Sequence, residues 1–329
     1  MIWLTWRQHR KQALWTAAAI LALAAVLVPT GLAMRSTFQD SGLGACLRAL
    51  GHAELVDNGG CEALSERFRN KYDATAYLAV LLVLLPLLAG IFLGAPLVAR
   101  EVENGTHRLV WTQGVSRRRW ILTKFGLVGA VALVLSVGYA LGAAWWLEPL
   151  ADNGLGRFRY LVFDVQGTAP IGYTLFAVAL GILAGTVARR VLPAMGLSLT
   201  AFIAVRALVE LFARPHFLPA RTLTYAIDSP LMANRFAGSW IYREGVRNGT
   251  GALVLPDGRI GCATGPDGSD SSGCLARVAQ DYGPGPHTNW QEYQPADRFW
   301  TFQAIETGIF LALTVLLVTL AVRRVRRIS

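Results

Sequence analysis

The sequence predicts an all-α integral membrane protein with six transmembrane helices, both termini in the cytoplasm, and a small external subdomain between the fifth and sixth helices. Three observations carry this expectation. Only 16% of the 329 residues are charged and 53% are hydrophobic, with a mean hydropathy of +0.41, whereas an ordinary soluble domain carries about 25% charged residues. The apolar residues are gathered into six blocks, each long enough to cross a hydrocarbon core that takes about 20 helical residues. Cations crowd the segments between alternate blocks, as they do on the cytoplasmic side of membrane proteins.

The blocks are 13–34, 74–99, 121–147, 171–188, 191–213 and 302–322. In lipid every backbone N–H and C=O must find its partner within the segment, so each block is expected to be a helix. Block one follows Arg7, Arg10 and Lys11, as a signal peptide would, but it is 22 residues long and no A-x-A site follows. A signal core is roughly 7–15 residues, so the block is expected to be an uncleaved anchor. Residues 1–12 mix Trp3 and Trp6 with the cations. That composition suits a cytoplasmic amphipathic segment forming a short helix in the headgroup layer, and equally a basic flank that only fixes topology.

Charge density sets the orientation. Segments 1–12, 100–124, 189–190 and 323–329 hold 15 Lys and Arg against two acids, Glu101 and Glu103. The much longer segments 35–73, 148–170 and 214–299 hold 15 cations against 17 acids. The first group is therefore cytoplasmic. Arg67, Arg69 and Lys71, just before block two, run against the rule. The net charge of +10 follows from these flanks, so no nucleic-acid partner is expected.

The four cysteines test the orientation separately. Cys46 and Cys61 fall in the outer loop 35–73, and Cys262 and Cys274 in the outer loop 214–299. Disulfides persist on the oxidising side. Four cysteines allow three pairings, and proximity favours Cys46–Cys61 and Cys262–Cys274. Their spacing matches no zinc knuckle and no histidine pair accompanies them, so no metal site is expected. The loop 214–299 is too long for a connector. It carries the turn signals Pro256-Asp257-Gly258 and Pro266-Asp267-Gly268, and 251–260 could form a hairpin.

Catalytic signals are sparse. His52 and Asp57 form an H-x4-D match lying between two cysteines, as chance allows, and Asn104 and Asn248 begin weak sequons. No P-loop, H-E-x-x-H or G-x-S-x-G occurs, so no catalytic residue is assigned and ATP is expected to be bound by a partner. Inside the blocks, Arg206 and Glu210 are spaced i, i+4 and can pair as an intramembrane polar spot. Glu306, at the start of block six, is expected at the interface. The G-x-x-x-G spacings Gly90/Gly94, Gly138/Gly142 and Gly181/Gly185 permit close helix approach, and Pro86 and Pro96 are expected to kink block two.

The most informative stretch is the cytoplasmic loop 100–120. It carries the only acids placed inside. Gly105 and Thr106 supply a turn and an N-cap ahead of Leu109, Val110 and Trp111. Ser116 can cap the next helix, whose cytoplasmic end Arg117 to Arg119 would pin. The pattern is that of a short helix–turn–helix tucked under the membrane.

Here the chain resembles the permease subunits of ABC-2 type transporters. These carry an Arg-Glu…Glu-x-Gly-Thr stretch after the second spanning helix, then a Leu-rich turn, a Ser-Arg pair and a Lys opening the third helix. The matching residues are Arg100, Glu101, Glu103, Gly105, Thr106, Leu109, Ser116, Arg117 and Lys124. Where the family often has Pro two residues before the Ser, this chain has Gly114. The opening Leu4-Thr5-Trp6-Arg7-Gln8-His9-Arg10 and the cysteine-bearing loops look like an actinobacterial branch. The resemblance implies an exporting subunit of a bacterial cell membrane, bathed in membrane lipids, paired with a second permease and driven by a separate ATP-binding subunit at the 100–120 loop. The rival reading is a membrane-anchored sensor acting through 214–299. A secondary transporter would need polar relays in matching halves, and the sequence offers only Arg206 and Glu210.

Overall fold

The computed structural model describes residues 2–50, 61–105, 117–229, 238–262 and 271–325. Among these, six helices are long and apolar enough to cross a membrane: Leu14–Asp40, Tyr77–Glu103, Leu122–Asn153, Ala169–Ala188, Val191–His216 and Ala296–Val325. Each answers to one of the six blocks.

The first span belongs to a single helix, Ile2–Asp40. The basic segment 1–12 therefore does not form a helix of its own from Ile2 onward. No Gly or Pro lies between Ile2 and Ala13, so nothing in the backbone breaks the helix there. The second span is interrupted by a π-helical turn, Gly90–Gly94, between Thr75–Ala89 and Ala95–Glu103. Pro86 and Pro96 flank it, and Pro96, lacking an N–H, cannot continue a regular ladder.

The fourth span is the hub. Its most apolar window is 72% buried, against 39% or less in the other spans. Two of the three expected glycine pairs explain this. A Cβ on Gly94 would come within 2.5 Å of the Val178 oxygen, one on Gly181 within 2.7 Å of the Ala95 nitrogen, and one on Gly185 within 2.8 Å of the Ala95 oxygen. The second and fourth spans thus touch backbone to backbone, which only glycine permits. The third pair behaves otherwise. Gly138 and Gly142 have no atom of a neighbouring element within 4 Å of a would-be Cβ, so they face no other helix among the described residues.

The N-terminus of the fourth span is closed from elsewhere. Thr168, its N-cap, makes no side-chain capping bond. The Gln303 Oε1 of the sixth span instead accepts from the Thr168 and Ala169 N–H groups at 3.1 and 2.8 Å. Its Nε2 donates to the Phe163 carbonyl at 2.9 Å. This satisfies donors that a helix start leaves open and locks the sixth span to the fourth.

The segment after the first span folds into two helices, Leu43–Leu50 and Cys61–Tyr72, bridged by Cys46–Cys61 with Cα atoms 5.8 Å apart. Phe68 is buried beside Phe38 and Tyr72. His52 and Asp57 lie outside the described residues.

Between the fifth and sixth spans the all-α pattern gives way to an antiparallel sheet of order β1-β4-β2-β3, with β1 Arg221–Ala226, β2 Trp240–Asn248, β3 Leu253–Pro256 and β4 His287–Gln294. The helix Ser271–Tyr282 covers it, held by Cys262–Cys274 with Cα atoms 5.5 Å apart. Ile227, Val246, Cys262 and Val278 form the core. The hairpin expected within 251–260 instead joins β2 to β3. Asn248 makes its turn, accepting through Oδ1 from the Thr250 and Ala252 N–H groups, with Gly251 at φ +84°. The sheet is fastened to the bundle by Trp240 stacked on Phe158 and by Gln294 and Arg298 donating to the Leu218 and Pro219 carbonyls.

Candidate functional site

Two constellations of charge lie at opposite ends of the spans. The first is where the resemblance places the coupling loop. The helix Ala95–Glu103 ends at Asn104, and Gly105 takes the left-handed φ of +69° that favours glycine. Arg100, Glu103, Asn104 and Gly105 are exposed. Glu101 is ion-paired with Lys124 at the start of the third span. Glu103 Oε2 accepts from the Val191 N–H at 3.0 Å. Val191 opens the fifth span, whose N-cap Arg190 provides no side-chain cap. The carboxylate supplies the missing acceptor and meets the positive end of the helix dipole. One turn therefore touches the starts of two other spans. Thr106, Leu109 and Ser116 lie outside the described residues, as does most of the expected helix–turn–helix. Arg117 is the first residue of the third helix.

The second constellation joins segments far apart in sequence. Arg206 donates through Nη1 to Glu306 Oε1 at 2.9 Å and through Nη2 to Asp164 Oδ2. Arg214 donates through Nε to Glu306 Oε2 and through Nη2 to Asp164 Oδ1, both at 2.8 Å. Tyr173 donates its hydroxyl to Glu306 Oε1 at 2.6 Å. The guanidinium of Arg206 lies over the Tyr173 ring at 3.8 Å and that of Arg214 over Phe163 at 4.3 Å. All four charged residues are buried, Glu306 completely. Two positive and two negative charges balance, and all four carboxylate oxygens accept a hydrogen bond. A buried charge costs several kcal/mol unless paired in this way.

This differs from the sequence reading in two respects. Glu306, expected at the interface, is completely buried within the protein, where two arginines and a tyrosine hold its carboxylate. Arg206 and Glu210 do approach, but at 3.9 Å, and Arg206 directs its hydrogen bonds to Asp164 and Glu306. The cause is the π-helical turn Val209–Ala213, which widens the i, i+4 spacing and leaves Glu210 about a third exposed at 32%. The same turn brings Arg214 round. On a regular helix, residues eight apart sit about 80° from one face, and one extra residue per turn cancels most of that offset. Asp164 and Arg214 were not singled out in the sequence because each falls in a loop-like stretch between apolar blocks.

Neither constellation groups three or more His, Cys, Asp or Glu side chains in a metal-holding arrangement among the described residues. Comparison with curated proteins and with solved structures gave no match. A family model described as ABC-2 membrane transporter related matches residues 17–214, about three fifths of the chain and five of its six spans. The segment it covers includes the Glu101–Gly105 turn, Asp164, Arg206 and Arg214. The chain therefore belongs to the ABC-2 membrane transporter related family, and is a multi-pass membrane protein of the ABC-2 permease type.

Proposed function

We propose that this chain is the membrane-spanning permease subunit of an exporter. A separate ATP-binding subunit drives it by docking on the 100–120 loop, and a second permease subunit completes the pathway. Both termini and the Glu101 end face the cytoplasm, and the disulfide-bearing end faces outward. The observation that carries the reading is the family match across 17–214. Two features support it. The sequence has no P-loop of its own, so nucleotide energy must enter through a partner. The Glu101–Gly105 turn combines exposure with contacts to the third and fifth spans, so a push on it reaches three spans at once. ATP shifts the inward–outward equilibrium only through contacts that differ between the two states.

The test is purification of the full chain in mild detergent from its native membrane. Expected is a co-purifying ATP-binding subunit whose hydrolysis rate depends on the permease. A chain that purifies alone while its external subdomain retains a small ligand would overturn the reading. One observation bears on that rival, a sensor acting through 214–299: an open surface depression of about 410 Å³ in the subdomain, lined by Tyr225, Glu244, Arg259 and Asn289 among others.

A further inference from the structure

The second span changes its packing partners at one residue. Up to Leu85 it belongs to one core, in which Ala79 and Leu82 are buried with Met34 of the first span and Trp146 of the third. From Leu87 onward it belongs to the fourth span: Leu87 shares a core with Phe176 and Ala177, and Leu97 and Val98 share one with Val178 and Ile182. A Cβ on Gly90 would meet the Ala177 oxygen at 2.7 Å, so this second part is seated backbone to backbone. Pro86 stands at the change, just ahead of the π-helical turn Gly90–Gly94. A helix is most easily bent where a proline and a π-turn both interrupt its ladder.

Pro86 has no N–H to close on the Leu82 carbonyl, four residues back. The third span supplies the donor instead: the Tyr139 hydroxyl lies 2.9 Å from the Leu82 oxygen. The third span's own proline is treated likewise. Pro149 frees the Trp145 carbonyl, and Arg35 Nη2 of the first span donates to it at 2.6 Å. There Trp146 and Leu150, on either side of the proline, share a single core, so the bond fastens a helix end. At Pro86 the cores differ on the two sides, so the freed carbonyl sits at a joint. A carbonyl without a donor is costly in a bilayer. The joint therefore stays closed while Tyr139 holds the Leu82 oxygen, and opens when water takes the place of the hydroxyl. Tyr139 is half-buried, which leaves water a route to that exchange. Two discrete arrangements of one segment are what a hinge requires.

We infer that the second span is hinged at Pro86 and that Tyr139 is the latch, releasing the Leu82 carbonyl when residues 75–85 swing with respect to the fourth span. The test is pulsed electron paramagnetic resonance on the full chain in lipid nanodiscs. Spin labels are carried by Tyr77→Cys, at the exposed start of the second span, and by Gln280→Cys, exposed on the helix that covers the sheet. The four native cysteines are bridged and take no label. Expected is one main distance with a second, minor one. Tyr139→Phe should raise the minor population about tenfold, the scale of one buried hydrogen bond. Pro86→Ala returns an N–H to the Leu82 carbonyl and should remove the minor population. On that background Tyr139→Phe should change nothing. An unchanged distribution in Tyr139→Phe would overturn the inference. So would an effect of equal size with and without Pro86, which would make the hydroxyl a packing contact alone. If Tyr139→Phe fails to fold, Pro86→Ala decides by itself: a minor population that persists there, or that the wild type lacks, would overturn the hinge. No partner subunit enters the experiment, so its outcome is independent of the permease reading.

Discussion

At one end of the bundle Asp164, Arg206, Arg214 and Glu306 are buried and saturated by one another. At the other, Glu101 and Glu103 lie at a rim, each reaching the first residues of a neighbouring span. The same kinds of charge therefore serve opposite purposes. In the buried cluster, moving any member strips hydrogen bonds from charges that have no water to replace them, so the segment before the fourth span and the fifth and sixth spans are held in one arrangement. At the rim, the exposed Glu103 can exchange its contact for water or for a partner at a cost of about 0–1 kcal/mol, while the Glu101–Lys124 pair beside it is more deeply set. In the proposed function, movement imposed by a partner would enter the molecule where contacts exchange cheaply and be resisted where they do not.

The comparison breaks most directly at Glu306. Glu306→Gln leaves two buried arginines facing one carboxylate, and a loss of about 3–5 kcal/mol is expected, read as a lower melting temperature of the purified chain in detergent. Replacing Glu306 and Arg214 together with Met should cost less than Glu306→Gln alone, because no uncompensated charge remains. A single substitution that melts like the wild type would show that water already reaches the cluster.

Next in size are the disulfides, which brace the end that carries the buried cluster. Non-reducing digestion should yield Cys46 linked to Cys61 and Cys262 linked to Cys274. Cys46→Ala with Cys61→Ala should cost about 3 kcal/mol, the chain-entropy value for a loop of 15 residues. Free thiols at all four positions would contradict both the pairing and the outward orientation.

The glycine pairs sharpen the comparison inside the bilayer. Gly181→Leu would drive a side chain into the backbone of the second span and should cost about 1–3 kcal/mol or more. Gly138→Leu, with open space around it, should not lower stability. The sequence showed three pairs of equal merit. Only their neighbours, which spacing cannot reveal, separate two packed pairs from an open one.

The buried cluster shows the same division between what is legible and what is not. Hydropathy and cations marked all six spans, and the positions of the cysteines suggested both bridges. Arg206 was visible, but its partners were not. Asp164 comes from a turn, Glu306 from a helix 100 residues away, and Arg214 is aligned by a π-helical turn that an ideal 3.6-residue period cannot anticipate. The sheet was equally hidden. One of its two inner strands, β4, reads His-Thr-Asn-Trp-Gln-Glu-Tyr-Gln, with almost none of the apolar alternation by which strands are recognised. The motif marks Glu103 as a docking residue, whereas its cap on the fifth span depends on a fold contact between residues 88 apart.

The smallest effect on stability is expected at the rim. Glu103→Lys alone, at an exposed contact, should shift melting by about 0–1 kcal/mol, and together with Glu101→Lys it should abolish co-purification of the ATP-binding subunit. The swap Glu101→Lys with Lys124→Glu restores the internal ion pair while reversing the surface charge. If the carboxylate is read by a partner, the swap stays uncoupled. If it only braces the third span, coupling returns.

The decisive measurement places a photo-cross-linking amino acid at Asn104, exposed beyond the helix Ala95–Glu103, or at Glu66, on the helix Cys61–Tyr72 at the opposite end. After irradiation of intact cells, cross-linked products are identified by mass spectrometry. Expected is an adduct with a cytoplasmic ATP-binding subunit from Asn104 and none from Glu66. An ATP-binding subunit captured from Glu66, or captured from neither site while it still co-purifies, would contradict docking at the Glu101 end.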